Sequence, residues 1–221
     1  MAAKWMFWLL CGFISFNMMS FASGAACNDI IDIGIIIDSS GSMGVEWLVS
    51  AMAFATQLAD NFTIGYDETR FALITFSKEA KIEFLFKDYK SREEVELAVE
   101  KVEFGNSSTR IDKALSLALN EVFSHGSGTR TSASRFLVIA SDGRFPRTGI
   151  PTFESMVLPI MNLNVEVLVV GIGDGVLLNE LNALALHKKE NVYPSSSDLN
   201  LDNMVNRIRS LTNVKCRSLP I

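Results

Sequence analysis

Residues 30–37 form an almost unbroken run of isoleucines and glycine around Asp32. A stretch apolar on both faces is what a central strand needs when helices cover both sides of its sheet. The run ends abruptly in Asp38-Ser39-Ser40-Gly41-Ser42, which places a carboxylate and hydroxyls where the strand stops. Ligands of open α/β sheets collect just outside the carboxyl ends of the strands. This loop is therefore expected to hold a divalent cation, and the cation to bind a carboxylate from a partner.

The rest of the chain alternates strand-like and helix-like segments, the mark of a doubly wound α/β fold with a mostly parallel sheet. Leu48, Met52, Phe54, Ala55 and Leu58 recur near helical spacing and predict a helix over 45–60. Strands follow over 71–76 and 81–86, and the alternation in the second puts it at a sheet edge with one wet face. Ser91 and Glu94 have the spacing of a capping box, opening a helix that runs to about Val102. An amphipathic helix covers 111–123, and the polar stretch 125–134 reads as a solvated connection. A second buried strand, 136–140, ends at Ser141-Asp142-Gly143. Then come a helix over 153–161, a strand over 165–173, a helix over 176–186, a short strand at 191–193 and a last helix over 199–211. There is no internal repeat and no low-complexity tract.

The first residues stand apart. Lys4, the apolar core from Trp5 to Phe16 and the small residues Phe21-Ala22-Ser23-Gly24-Ala25-Ala26 follow the order of a secretory signal. The apolar core is shorter than the roughly 20 residues of a membrane span, and Asn17 interrupts it. A lipoprotein reading of Cys27 lacks the aliphatic residue expected three places earlier. The expected organisation is thus a signal peptide over 1–25, one domain over 26–216 and a short tail over 217–221, with no membrane span in the mature chain. Cleavage there removes Cys11 and leaves Cys27 and Cys216, a pair bracketing the mature chain, as an expected disulfide. The 221 residues suffice for one sizeable core, and a net charge of -5 without any Lys/Arg-rich block excludes an ordinary nucleic-acid binder.

Asp38 and Asp142 each end an apolar strand, so in a parallel sheet both face the same rim. Between them in sequence lies Thr109, in a polar loop that opens onto a helix. Oxygen-only donors of this kind suit Mg2+, with Mn2+ or Ca2+ as alternatives. The set Asp38-x-Ser40-x-Ser42, Thr109 before Lys113-Ala114-Leu115, and Asp142-Gly143 resembles the metal-ion-dependent adhesion site of von Willebrand factor type A domains. Met43-Gly44 and Gly171-Ile172-Gly173 are similar to that family as well, and the resemblance covers 29 to about 211. It implies that Ser40 and Ser42 coordinate the metal through their hydroxyls, Thr109 directly or through water, and Asp38 and Asp142 mostly through waters. It also implies an open coordination position for a carboxylate of an extracellular protein ligand. Some relatives switch by sliding the last helix; here that helix lacks a Glu, and the cysteine pair is expected to restrict it.

Other readings are weaker. Asp38 and Ser40 could cap the following helix, and Asp142-Gly143 could be an ordinary turn. His125 and His187 are remote in sequence from the serines, so a hydrolytic triad lacks support, and a metal-assisted hydrolase lacks a base. A structural matrix protein with a non-essential metal site is the main alternative to an adhesion module. Asn61-Phe62-Thr63 and Asn106-Ser107-Ser108 fit the glycosylation sequon, the second crowding the metal face.

Overall fold

The computed structural model describes residues 30–146, 148–149 and 151–212. The expected signal segment and both Cys27 and Cys216 lie outside the described residues. Six strands form one sheet: β1 (Ile31–Asp38), β2 (Thr69–Phe76), β3 (Ala80–Phe84), β4 (Ser134–Ser141), β5 (Val165–Gly171) and β6 (Val192–Tyr193), in the order β3-β2-β1-β4-β5-β6. All neighbours pair parallel except β2 and β3, and β3 takes the expected edge position.

The helices are α1 (Gly44–Asp60), α2 (Arg92–Val99), α3 (Ile111–Leu117), α4 (Phe153–Met161), α5 (Leu178–Leu184) and α6 (Asp198–Leu211). Residues alternate between the two faces of β1. Ile33, Ile35 and Ile37 pack with α1 and α6 residues such as Phe54, Leu58, Met204 and Ile208. Ile36 packs on the opposite side with Ile111, Ala114 and Leu115 of α3. Both faces of β1 are buried along its whole length, which is why its sequence is apolar without alternation. The same alternation turns Asp38 toward the α3 side. The strand order reverses direction of winding at β1 and β4, so the crevice beyond their carboxyl ends is the place where such sheets bind ligands.

Several boundaries differ from expectation for local reasons. Asp88 holds the chain after β3 in a turn by accepting the Leu85 amide at 2.8 Å, so the strand stops at Phe84. The Ser91–Glu94 capping box forms, but tight turns from Glu100 to Val102 close α2 early. The amphipathic helix over 111–123 is α-helical only to Leu117; residues Ala118–Val122 form a π-helical turn that ends in a Phe123 amide donating to Ala118 O. That turn seats the Phe123 ring over β1, where a Cβ on Gly34 would lie only 3.1 Å from it. β5 ends at Gly171, and α5 ends where Leu186 and His187 adopt left-handed conformations, φ 50 and 62. The connection over 125–134 is not wholly solvated. Ser127 is buried, and the Arg130 side chain is only 15% exposed against a fully buried Asp32.

No helix among the described residues is long and apolar enough to cross a membrane.

Candidate metal centre

The site begins with backbone ties that leave little freedom to the loop after β1. Ser39 donates its amide and its hydroxyl to Phe76 O at 2.8 and 3.0 Å, fastening the loop to β2. Gly105 N–H donates to Ser39 O and Gly41 N–H to Ser107 O, so the loop carrying Thr109 is laced to the serine loop. Gly105 lies so close to Ser77 that a side chain there would collide.

This framework brings three hydroxyls together. Thr109 Oγ1 donates to Ser40 Oγ at 3.0 Å, and Ser40 Oγ lies 3.0 Å from Ser42 Oγ, sharing one hydrogen between them. Ser40 and Thr109 are buried, whereas Ser42 is exposed and marks the open side. Asp38 is fully buried beneath them. Its Oδ1 accepts the Ser40 amide at 2.9 Å, and its Oδ2 accepts the Ser141 hydroxyl at 2.8 Å. Asp142 follows β4 directly, with Oδ1 accepting the Arg144 amide at 2.8 Å and Oδ2 lying 3.4 Å from Arg144 Nε. The structure thus joins the Ser40, Ser42 and Thr109 hydroxyls directly, ties Asp38 to them through the Ser40 amide, and places Asp142 next to Ser141, the residue that holds Asp38.

Two residues at the site were not anticipated. Ser141 bridges the two strand ends, since its oxygen also accepts the Gly143 amide at 3.1 Å. Its signal is a polar residue ending an apolar strand, one position past the Ile37–Ala140 pair that closes the β1–β4 register. Arg144 had only its charge and its proximity to Asp142 to identify it.

β1 offers an internal comparison between two buried aspartates. Asp32, near the start of the strand, is held by Arg130 through Nε and Nη2 at 2.9 and 2.6 Å, and by the Arg130 amide at 2.6 Å. Asp38, at the other end, is equally buried but meets no Lys or Arg among the described residues. Burial pushes its carboxyl up to about 6; the bonds from Ser40 and Ser141 oppose that rise, and the negative charge of Asp142 adds to it. A buried carboxylate is normally paired or bound to a metal. The donors here are hydroxyls and carboxylates with no thiol or imidazole, which suits a hard cation with few anionic ligands. Among the described residues no group of three or more His, Cys, Asp or Glu side chains is placed to hold a metal ion, so any cation here would depend on the hydroxyls.

The von Willebrand factor type A domain family model matches residues 32–207. The chain belongs to that family. Among curated relatives, mouse matrilin-2 is 30% identical over 160 residues, covering 71% of this chain and 16% of its own length. The human collagen alpha-5(VI) chain is 32% identical over 118 residues, 53% of this chain and 4% of that one. The chain thus spans only a small part of these relatives. Proximal thread matrix protein 1 from the mussel byssus has a similar solved structure, with a TM-score of 0.70, 27% identity, and coverage of 84% of this chain and 47% of that one. Another structure of the mussel protein, with a zinc-occupied MIDAS motif, aligns at a TM-score of 0.68 and 26% identity.

Both histidines of this type A domain lie away from the rim. His125 follows the π-helical turn near Gly126, whose carbonyl accepts Lys87 Nζ at 2.7 Å. His187 precedes Lys188, which pairs with Glu166 near the start of β5. Neither can serve a serine at the opposite end of the sheet.

Proposed function

We propose that Asp38, Ser40, Ser42, Thr109 and Asp142 hold a divalent cation, Mg2+ foremost with Mn2+ or Ca2+ as alternatives, and that the chain is a secreted adhesion or recognition module. The carrying observation is the fully buried Asp38 carboxylate, unpaired with any Lys or Arg among the described residues and set beneath three converging hydroxyls. The zinc-occupied motif of the mussel protein supports a metal at the corresponding place.

When bound, the cation supplies an electrophilic position that accepts a carboxylate of an extracellular protein. Ser40, Ser42 and Thr109 offer it neutral oxygens, so little of its charge is cancelled. Asp38 and Asp142 contribute through hydrogen bonds and water. Ser141 holds Asp38 in place, and the ties from Ser39 and Gly41 fix the loop so that little ordering remains when the metal binds. The role is binding rather than catalysis, since no histidine base reaches the rim. On this reading residues 1–25 act as a secretory signal and Cys27 pairs with Cys216; the extracellular matrix relatives support the compartment. Asn61, at the C-terminal end of α1, is the favoured glycosylation position; Asn106 lies against Gly41 beside the proposed metal, where a glycan would obstruct a partner.

Calorimetric titration with Mg2+ tests the site, and capture of extracellular proteins with and without chelator tests the role. Saturable Mg2+ binding and chelator-released partners are expected. Capture indifferent to chelator would favour a structural matrix component with a non-essential metal site.

A further inference from the structure

Arg144 reaches back along Asp142 and extends past it. Its Nε lies 3.4 Å from Asp142 Oδ2, and its side chain is 52% exposed. On its other side the guanidinium faces the β5–α5 loop, where a Cβ on Gly175 would come within 3.2 Å of Nη2. Gly175 has φ +72, so glycine there permits the turn and leaves the space the guanidinium uses. A guanidinium has five donors and no acceptor. Among the described residues the Nη atoms of Arg144 meet no protein acceptor, and the side chain's single ion-pair contact is the one through Nε.

The surroundings also fit a partner. Leu177 and Leu178, just after Gly175, are 43% and 42% exposed, and the Leu177 amide donates to Asp142 O at 2.9 Å. A half-exposed cation with free donors therefore stands beside apolar side chains on the same rim as the proposed metal. Asp142 adjoins both: it belongs to the metal site on one side and pairs with Arg144 on the other. Asp142 thus stands between the proposed metal position and the guanidinium, so an acidic group at Arg144 would be a second one, beside a carboxylate on the metal.

Resting on the carboxylate-binding reading above, we propose that Arg144 forms a second anion position on this face and that the protein partner presents two neighbouring acidic side chains, one to the metal and one to Arg144. Arg144 is thereby a specificity residue for the ligand rather than a support for Asp142 alone.

The probes are capped glycine peptides carrying one aspartate, or two separated by none, one or two glycines, titrated against the Mg2+-loaded whole chain by NMR. The best two-acid peptide should bind wild type about threefold to fivefold tighter than the one-acid peptide, the range of an exposed ion pair. In Arg144→Ala the gap should shrink to about the twofold statistical advantage of two equivalent groups, and Arg144→Lys should retain part of it. Mg2+ binding without peptide should tighten slightly in Arg144→Ala, because a positive charge leaves the neighbourhood of Asp142. A full gap in Arg144→Ala, or none in wild type, overturns the second position. So does a parallel loss of Mg2+ and one-acid binding in Arg144→Ala, which would make Arg144 a prop for Asp142. If Mg2+ binds wild type but neither peptide does, the carboxylate reading falls together with this one, and that pattern is distinct from the others.

Discussion

Asp38→Asn is expected to lose metal binding while making the metal-free chain more stable at neutral pH. The two effects have one cause. Asp38 is fully buried, its carboxyl is pushed up to about 6 from an ordinary 3.8, and no side-chain cation among the described residues offsets its charge. A carboxyl whose pKa is raised on folding is bound to its proton more firmly in the folded state. The cost of ionising it is therefore absent below about pH 4, grows between about pH 4 and 6, and is complete at pH 7. Two pKa units correspond to about 3 kcal/mol, an upper figure for what the asparagine relieves, since it also weakens the bonds from Ser40 and Ser141. Urea unfolding without metal should show the mutant gaining stability over wild type as pH rises from 4 to 7. Calorimetry should show Mg2+ affinity falling by about 100-fold. Wild-type affinity should drop below pH 6 as protons compete for Asp38, and the mutant should lack that dependence. A mutant that binds Mg2+ normally, or that is less stable than wild type at pH 7 without metal, would refute this account.

The same physics explains what could be read from the sequence. The core strands were legible because burial on both faces demands continuous apolar runs, as in 30–37 and 136–140. Asp38 and Asp142 stood out because carboxylates ending such strands are anomalous unless they bind something, whereas Ser40, Ser42 and Thr109 were joined to them by the resemblance to type A domains, and the metal they would hold remains the proposal. The π-helical turn at Ala118–Val122 was not, since the apolar pattern of 111–123 fits an ordinary helix and the turn follows from seating Phe123 over Gly34 and against Phe86. Arg144 was overlooked because an exposed arginine after a strand is unremarkable until its neighbours are placed. Asp32 was the clue left unused. A carboxylate inside a central strand requires a cation, and its partner, Arg130, sits 98 residues away in a stretch whose polar composition reads as solvated.

Arg130→Ala should consequently be among the most destabilising substitutions in the domain, about 3 to 5 kcal/mol by urea or thermal unfolding, the range for removing one partner of a buried pair. The magnitude comes mainly from what is left behind. Asp32 is fully buried at the start of β1, and its carboxylate would keep the Arg130 amide but lose the guanidinium. Ile31 O and Glu68 O, which accept Arg130 Nη2 at 2.8 and 2.7 Å, would lose that donor as well. Arg130→Lys should fall between, because an ammonium cannot reproduce the planar grip on several acceptors. The Asp32→Asn/Arg130→Ala double mutant separates charge from contact: it should recover a substantial part of the loss, since no buried charge remains. A single mutant within about 1 kcal/mol of wild type, or a double mutant no better than the single, would show that the pair is not what holds this end of the strand. β1 thus begins with a carboxylate neutralised by the chain's own arginine and ends with one that has no such partner among the described residues. The first closes the fold, and removing its cation should cost the protein the several kcal/mol predicted above. The second, under the proposed reading, is closed from outside, and supplying a cation there should stabilise it.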